Sequence, residues 1–593
     1  MPEIKKDIFR VEDSTLSSRR ELLQKRIRQA RGLEPADLVI RGAKIVNVLS
    51  KEIQEGDVAV CDGIIVGIGA YEGRQTAEVS GYLVPGLTDS HIHIESSMLT
   101  PAEFSRIMIT RGVTSVIADP HEIMNVAGTE GLHFMQADAE KAVMDIFFMM
   151  ASCVPATPWE HSGAVVRSGD MRTDVNEHRV TGLGEMMDFP GVLRGDPDVL
   201  DKLLLAGEAG VITDGHSPGL AGKDLSAYIA AGISTDHECS AIEEMQERIR
   251  LGMYVQLRYG SACIDLPVLA GGITKANVSR CLLCSDDIQP VTILGRGAVD
   301  AGIKLCISRG IDPIDAVSMA TINAAQCYGL RDRGAIAPGL IADLVLTDDL
   351  QSFKIRKVWK RGILAAEDGE CVLPKEKRDA SIRIGSMNIG DFSEEKLKLH
   401  LRSDRVRTIG ILPGGVLTKA KTERVRIDQN GDFIYDSSRD VVRISVIERH
   451  HGTGNTASAL LSGYGMKRGA IAVSVAHDSH NIITAGTNTK DMYTAVSEVA
   501  RMGGGMAAVL DQKVLAEIEL PVGGLMTSRN ADYVISSLYE LERTAQDVLG
   551  VRRDIEPVMV LCFMALPVIP ELKITDKGLF DVRAMQFTDV SIS

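Results

Sequence analysis

The stretch "VPGLTDSHIHIESSML" places His91 and His93 two residues apart, directly after an apolar run and a Pro-Gly pair. If this is the end of a β-strand, alternate side chains share a face, so His91, His93 and Glu95 point the same way, the geometry of a chelate. A His-x-His pair also arises by chance, so the rest of the chain must decide. It repeats the signal. Other short apolar runs finish in Asp119 and His121, Glu185, Asp214 and His216, Asp236 and His237, Arg258, and Asp286. Imidazole and carboxylate donors of this kind suit Zn²⁺, Fe²⁺ or Mn²⁺. A divalent ion with an open position lowers the pKa of bound water to about 7, which is machinery for hydrolysis.

The elements that must position these groups follow an alternating pattern. The β-like runs are "LVPGLTDSHIH", "VTSVIADPH", "DIFFMMASCVP", "VTGLGEMMDF", "GVITDGHSP", "GISTDHECS", "MYVQLRYGS" and "VSRCLLCSDD", with helical stretches between them. Near-continuous apolar strands suit a parallel sheet covered on both faces, and eight of them predict a (β/α)₈ barrel over residues 85–334. In such barrels the carboxyl ends of the strands build the active site, which is where the ionisable groups fall.

The flanks have a different texture. "ADLVIRGAKIVNVL" and "IADLVLTDDLQSFKIRKVWKRGILAAEDGE" share an Ala-Asp-Leu-Val core and β-branched runs leading to an Asp-Gly turn. They predict one small β-sandwich assembled from residues 36–84 and 335–375. Residues 1–35 form an N-terminal helical segment, with a charged helix over 14–32 that has a Ser/Thr start and a Gly stop. A Lys-rich passage, "PKEKRDASIRIG", opens a separate α/β or α+β domain over 376–593.

Composition narrows the partners. The 593 residues include 80 acidic and 65 basic side chains, a formal charge of -15, which argues against nucleic acid and for a free small molecule. No apolar run approaches membrane-spanning length and no apolar leader follows the basic start, so a soluble, cytoplasmic protein without a membrane partner is expected. Ten cysteines in apolar stretches fit reduced, mostly buried thiols. Cys281 and Cys284 are half of a zinc pattern that no second Cys-x-x-Cys completes. The glycines of "GYGMKRGAIAVSVAHD" lack the order of a phosphate loop.

The ordered set "PGLTDSHIHIESSM", "GLGEMMDFPGV", "TDGHSPGL", "STDHE" and "LCSDD", flanked by "GAIAPGLIADLVL", resembles the amidohydrolase superfamily and within it the bacterial-type adenine deaminases. "ERHHGTGN", "GYGMKRGAIAVSVAHDSHN" and "RMGGGMAAV" look like the extra C-terminal domain of that family. The resemblance implies His91 and His93, His216 and His237, and Asp286 as metal ligands. Glu185 stands where many binuclear relatives carry a carboxylated lysine, and its two oxygens suit a bridge between two ions. The implied cofactor is divalent and binuclear, Mn²⁺ or Fe²⁺ with Zn²⁺ as a further option.

The implied reaction is attack of metal-activated hydroxide on C6 of free adenine, giving hypoxanthine and ammonia in purine salvage by a homo-oligomer. Asp286 is the expected base. Glu185, Glu95, Glu122 and His121 are candidates for the other proton transfers. Asp119, His121 and Glu122 either touch substrate or metal or orient the ligands behind them. Arg258 either reads a substrate acceptor or pairs with an aspartate. Among the tail histidines His450, His451, His477 and His480, the last two either close over the barrel mouth or lie at a domain interface.

The alternatives are a metal-dependent cyclic amidase of the dihydroorotase or hydantoinase kind and a deaminase of another nucleobase. The small zinc deaminases are excluded, because their Pro-Cys-x-x-Cys is absent. A non-catalytic scaffold is disfavoured, because it would be expected to lack some of the strand-end ligands.

Overall fold

The structure is a computed structural model that describes residues 16–375, 383–412 and 417–592. The first helix spans Leu16–Ala30; residues 14 and 15 of the expected helix, and 376–382 of the Lys-rich passage, lie outside the described residues.

All eight expected runs are strands: Leu87–His93, Val113–Ala118, Asp145–Met150, Gly182–Met186, Ile212–Gly215, Thr235–Asp236, Tyr254–Arg258 and Cys281–Cys284, the last resuming at Asp286–Asp287. The ladders between them are parallel, and the barrel closes where Asp286 pairs with Ile92 and Asp287 with His93. The strand ladder is interrupted between the fifth and sixth strands, where the Ser234 amide donates to the Thr213 carbonyl at 3.0 Å. All seven residues of the first strand are buried, as a strand covered on both faces requires.

Beneath the barrel lie two sheets. Lys44–Asn47, Glu52–Glu55 and Tyr82–Pro85 join Leu344–Thr347, Ile355–Lys360, Ile363–Glu367 and Glu370–Cys371 in one sheet, so chain from either side of the barrel shares a single ladder. The other sheet contains Ala36–Arg41, Asp57–Cys61, Ile64–Gly69 and Gly73–Glu78. Ile40, Ile45, Ile65, Leu83, Leu344 and Trp359 belong to one buried core between them. Lys360 ties this unit to the barrel, its ammonium 2.6 Å from both Asp145 and Asp343.

The C-terminal region is built on an eight-stranded mixed sheet, with Val441–Ile447 and Thr456–Ser462 near its centre. The amphipathic helix Thr489–Arg501 buries Met492, Ala495, Val496 and Val499 against it. The loop between its strands Ala470–Val473 and Ile482–Gly486 reaches the carboxyl ends of the barrel strands and carries His477 and His480. Among the described residues no helix is long and apolar enough to cross a membrane.

Candidate metal centre

The period of two in the first strand places His91 and His93 on the same face, and both are buried. The His93 Nδ1–H donates to the Asp119 carbonyl at 3.0 Å, which leaves the Nε2 lone pair facing inward. That Nε2 lies 3.4 Å from Glu185 Oε1 and 3.2 Å from Asp286 Oδ1. His91 Nε2 lies 3.9 Å from the same Asp286 oxygen and has no hydrogen-bond partner.

Glu185, at the end of the fourth strand, presents its two oxygens to different histidines. Oε1 lies 3.1 Å from His121 Nδ1, while Oε2 lies 2.7 Å from His216 Nδ1 and 3.2 Å from His237 Nε2. The neighbouring glycine is required by this arrangement. A Cβ on Gly184 would sit 2.2 Å from Asp119 Oδ2, the oxygen that accepts from the Glu185 amide at 2.9 Å.

Asp286 divides its carboxylate in the same way. Oδ1 faces His93, and Oδ2 accepts from Arg258 Nη1 at 3.1 Å. Its φ of 58° is left-handed, a conformation that aspartate tolerates better than most residues and that concentrates at functional sites. Burial alone would raise its pKa, but the hydrogen bond with His93 and the charge of Arg258 hold it well below the usual carboxylate range. Burial, with His237 and His93 beside it, holds His91 well below the ordinary histidine value, so its lone pairs are available.

The cluster therefore contains the buried His91, His93, His121, Glu185, His237 and Asp286 and the partly buried His216, the strand-end groups expected to hold metal with His121 added. His91, His93 and Asp286 converge as one possible ligand set; His91, Glu185 and His237 converge as another. The donor set of imidazoles and carboxylates fits a divalent transition ion, and the orphaned, buried His91 Nε2 and His121 Nδ1 are what metal-facing nitrogens look like.

Other expected residues fall into place around it. Arg258 pairs with acids: its Nη1 contacts Glu238 and Asp286, and its Nε lies 2.8 Å from Asp265. Glu95 accepts from the Ile123 amide through Oε1, while its buried Oε2 has no partner. Burial pushes the Glu95 carboxyl up to about 7.

His477 Nδ1 lies 2.7 Å from Glu122 Oε1, and His480 Nε2 hydrogen-bonds the other oxygen. This trio has the residue types of a second metal cage, but its hydrogen bonds oppose that reading. The Ala476 amide donates to His480 Nδ1 at 3.2 Å, so the neutral ring carries its proton on Nε2, the nitrogen facing Glu122. His450 and His451 lie apart from the trio, bonded to the carbonyls of Ser479 and Ser162.

Sequence reasoning missed Glu238 and the part that Met559 and Phe563 play in lining the cleft beside the centre. Glu238 lies 3.5 Å from His237 Nε2 and 3.7 Å from His216 Nδ1; its only signal was its place directly after His237. The cleft is lined from the barrel by Glu95, Glu122 and Asp287, and from the C-terminal region by His477, Met559 and Phe563. Nothing in the local sequence marks Met559 or Phe563. Cys281 and Cys284 are unpaired thiols buried in the eighth strand.

Comparison with known proteins adds the family context. Residues 82–365 match the model described as "Amidohydrolase family", and residues 415–586 the one described as "Adenine deaminase C-terminal domain". The chain is 48% identical over 569 residues to a protein named adenine deaminase 2 from Desulfotalea psychrophila, covering 96% of this chain and 99% of that one. A protein named adenine deaminase from Ligilactobacillus salivarius is 47% identical, covering 96% and 99%. Among solved structures, a β-aspartyl dipeptidase from Fervidobacterium islandicum AW-1 superposes with a TM-score of 0.44 at 18% identity, over 58% of this chain and 100% of that one.

Proposed function

The chain belongs to the adenine deaminases of the amidohydrolase superfamily, and from that premise we propose how its buried centre hydrolyses free adenine to hypoxanthine and ammonia. The observation that carries the reading is the convergence of His91, His93, Glu185, His237 and Asp286 at the carboxyl ends of four barrel strands.

His91, His93, Glu185, His216, His237 and Asp286 are assigned as ligands of two divalent ions, Mn²⁺ or Fe²⁺, with Zn²⁺ as the further option. Glu185 would be the ligand shared by the two ions, because its two oxygens face different histidines. When bound, such ions polarise the reacting groups and acidify a water to a pKa of about 7.

The chain's own groups manage the protons. Asp286 is kept ionised by His93 and Arg258, and it takes the proton of the water that attacks C6. Arg258 acts through Asp286, fixing Oδ2 so that Oδ1 remains on the reacting side. Glu95, pushed up to about 7, holds a proton near neutrality and has a free Oε2 beside the cleft. It donates toward the purine ring, while Glu122, both of whose oxygens are taken by His477 and His480, stays an acceptor. Asp286 passes the proton it took to the exocyclic amine, which leaves as ammonia, and the C6 hydroxyl returns a proton to Glu95 as the carbonyl of hypoxanthine forms. Asp119 is a positioning residue, because it orients His93 through its carbonyl and the Glu185 main chain through its carboxylate.

Relatives alike over nearly the whole chain carry the name adenine deaminase, which favours deamination over ring opening of cyclic amides. The described cysteines are all unpaired thiols, which suits purine salvage in the cytoplasm.

The test is ammonia release from adenine, guanine, cytosine, adenosine, dihydroorotate and hydantoin by protein loaded separately with Mn²⁺, Fe²⁺ and Zn²⁺, with ring-opened products followed in parallel. Adenine-selective release with hypoxanthine as product is expected. Ring opening, or no turnover with any ion, would overturn the reading.

A further inference from the structure

The cleft beside the metal centre is rich in acceptors. Glu95, Glu122 and Asp287 bring three carboxyl groups to its lining. A purine ring also presents acceptors, its unprotonated ring nitrogens, so binding one here requires donors. Few side-chain donors are unspent among the described lining residues. The Ser96 hydroxyl donates to Asp287, the Ser261 hydroxyl donates to Thr292 at 2.7 Å, and His480 Nε2 is spent on Glu122. His477 and the Gln289 amide remain.

The surroundings of His477 determine which of its atoms is available. Nδ1 is occupied by Glu122 at 2.7 Å, and Phe563 stacks on the ring face with centroids 4.4 Å apart and planes 19° apart. The His477 amide donates to the Cys562 carbonyl at 2.9 Å, fixing the loop against the helix Pro557–Cys562. Arg449, wholly buried, holds the other end of the loop by donating to the His480 carbonyl and, at 2.8 Å, to the Gly523 carbonyl. His477 lines the cleft, and with Nδ1 taken by Glu122 its Nε2 is the ring nitrogen left for a ligand.

We propose that His477, delivered by the C-terminal domain, binds the purine directly by donating a hydrogen bond from Nε2–H to a ring nitrogen, with Glu122 as the positioning residue that holds the imidazolium. Burial opposes its charge, but Glu122, Asp287 and Asp478 outweigh burial and raise His477 to about 9. The barrel thus supplies the hydrolytic ligands, and the C-terminal domain supplies a charged donor to a cleft that the barrel lines with three carboxyl groups. This rests on the reading that the substrate is a free purine base.

The test uses the full chain loaded with Mn²⁺ and calorimetric binding of three inert ligands: hypoxanthine, 3-deazahypoxanthine and 7-deazahypoxanthine. Each deaza compound replaces one ring acceptor with a C–H. A hydrogen bond from a charged donor predicts that wild type loses about 10- to 100-fold in affinity for the analogue lacking the contacted nitrogen. H477F keeps ring volume against Phe563 but has no donor. It should bind hypoxanthine about 10- to 100-fold more weakly and show no additional loss for that same analogue.

Equal affinity of H477F and wild type for hypoxanthine, or deaza penalties that persist unchanged in H477F, would overturn the proposal. H477A, which also removes the ring stack, gives the same comparison if H477F does not fold. Failure of wild type to bind hypoxanthine at all, or to release ammonia from adenine, would instead count against the substrate reading.

Discussion

Arg248 Nε lies 2.6 Å from Asp236 Oδ2, and both side chains are wholly buried. Asp236 directly precedes His237, and Arg248 also donates to the Ser217 carbonyl at 2.6 Å, beside His216. One guanidinium therefore holds the backbone behind two proposed ligands. Arg248→Met would leave the buried Asp236 charge without its cationic partner, with only the Ser217 hydroxyl and the Glu238 amide still donating to it, at a cost of about 3–5 kcal/mol. Denaturant unfolding and metal titration should show both lower stability and weaker metal binding. A loss below about 1 kcal/mol would mean that the pair does not anchor the strand end.

Glu185→Gln keeps the shape of the side chain but loses the charge shared between His121 on one side and His216 and His237 on the other. Groups that merely orient ligands cost about 10–100-fold when removed, so loss of the bridging carboxylate should cost more than that in turnover. Metal analysis of the purified variant should find less bound ion than in wild type. Full occupancy with unchanged turnover would remove Glu185 from the centre.

Gly184→Ala tests the same region from the backbone. The added Cβ would meet Asp119 Oδ2 at 2.2 Å, and overpacking of this kind costs about 1–3 kcal/mol. Because Asp119 also holds His93 and the Glu185 amide, kcat should fall along with Tm. An unchanged thermal midpoint would show that the site absorbs a methyl group without strain.

Chelation should destabilise the protein as well as silence it. Free metal at a thousand times Kd contributes about 4 kcal/mol to stability, which a chelator removes. Scanning calorimetry with and without chelator, followed by Mn²⁺ addition, should show a lowered and then restored Tm. Loss of activity with no change in Tm would place the ions outside the folded core.

Lys573 gives a dependence on pH that is separate from the metal. It is wholly buried, donates to the Phe563 carbonyl at 2.8 Å, and burial lowers its pKa to about 7. In the unfolded chain its pKa is about 10.4, so between these values the unfolded state binds more protons than the native state. Stability should therefore rise with pH across that window, by up to about 1.4 kcal/mol per pH unit from this one group. Lys573→Met should flatten the rise in urea unfolding measured at pH 7.5 and pH 9.5; an identical slope in both proteins would refute the assignment.

The barrel was legible in the sequence because its physics is local. Parallel strands covered on both faces must be nearly continuous runs of apolar residues, and the groups terminating those runs lie on one rim. Hence His91, His93, Glu185, His216, His237 and Asp286 could be identified as strand-end groups before any coordinates, and the family resemblance singled out Glu185, which stands where many relatives carry a carboxylated lysine. Asp119 showed as another strand-end acid, but not that its carboxylate crosses to the Gly184 position. Arg258 was ambiguous from sequence, and the three acids around it depend on strands seven and eight and the loops beside them coming together.

The sequence leaves His477 and His480 either closing over the barrel mouth or lying at a domain interface, with no local signal to choose between the two. Glu122 and His477 are 355 residues apart, yet their side chains meet at 2.7 Å. Residue periodicity reports which face of an element is buried, not which distant domain buries it. The sequence by itself determined the strands, the ionisable residues at their ends and the hydrolytic chemistry those types allow. Only the tertiary structure decided that His477 and Phe563 stand over that rim, because docking two domains depends on long-range surface complementarity that no short segment encodes.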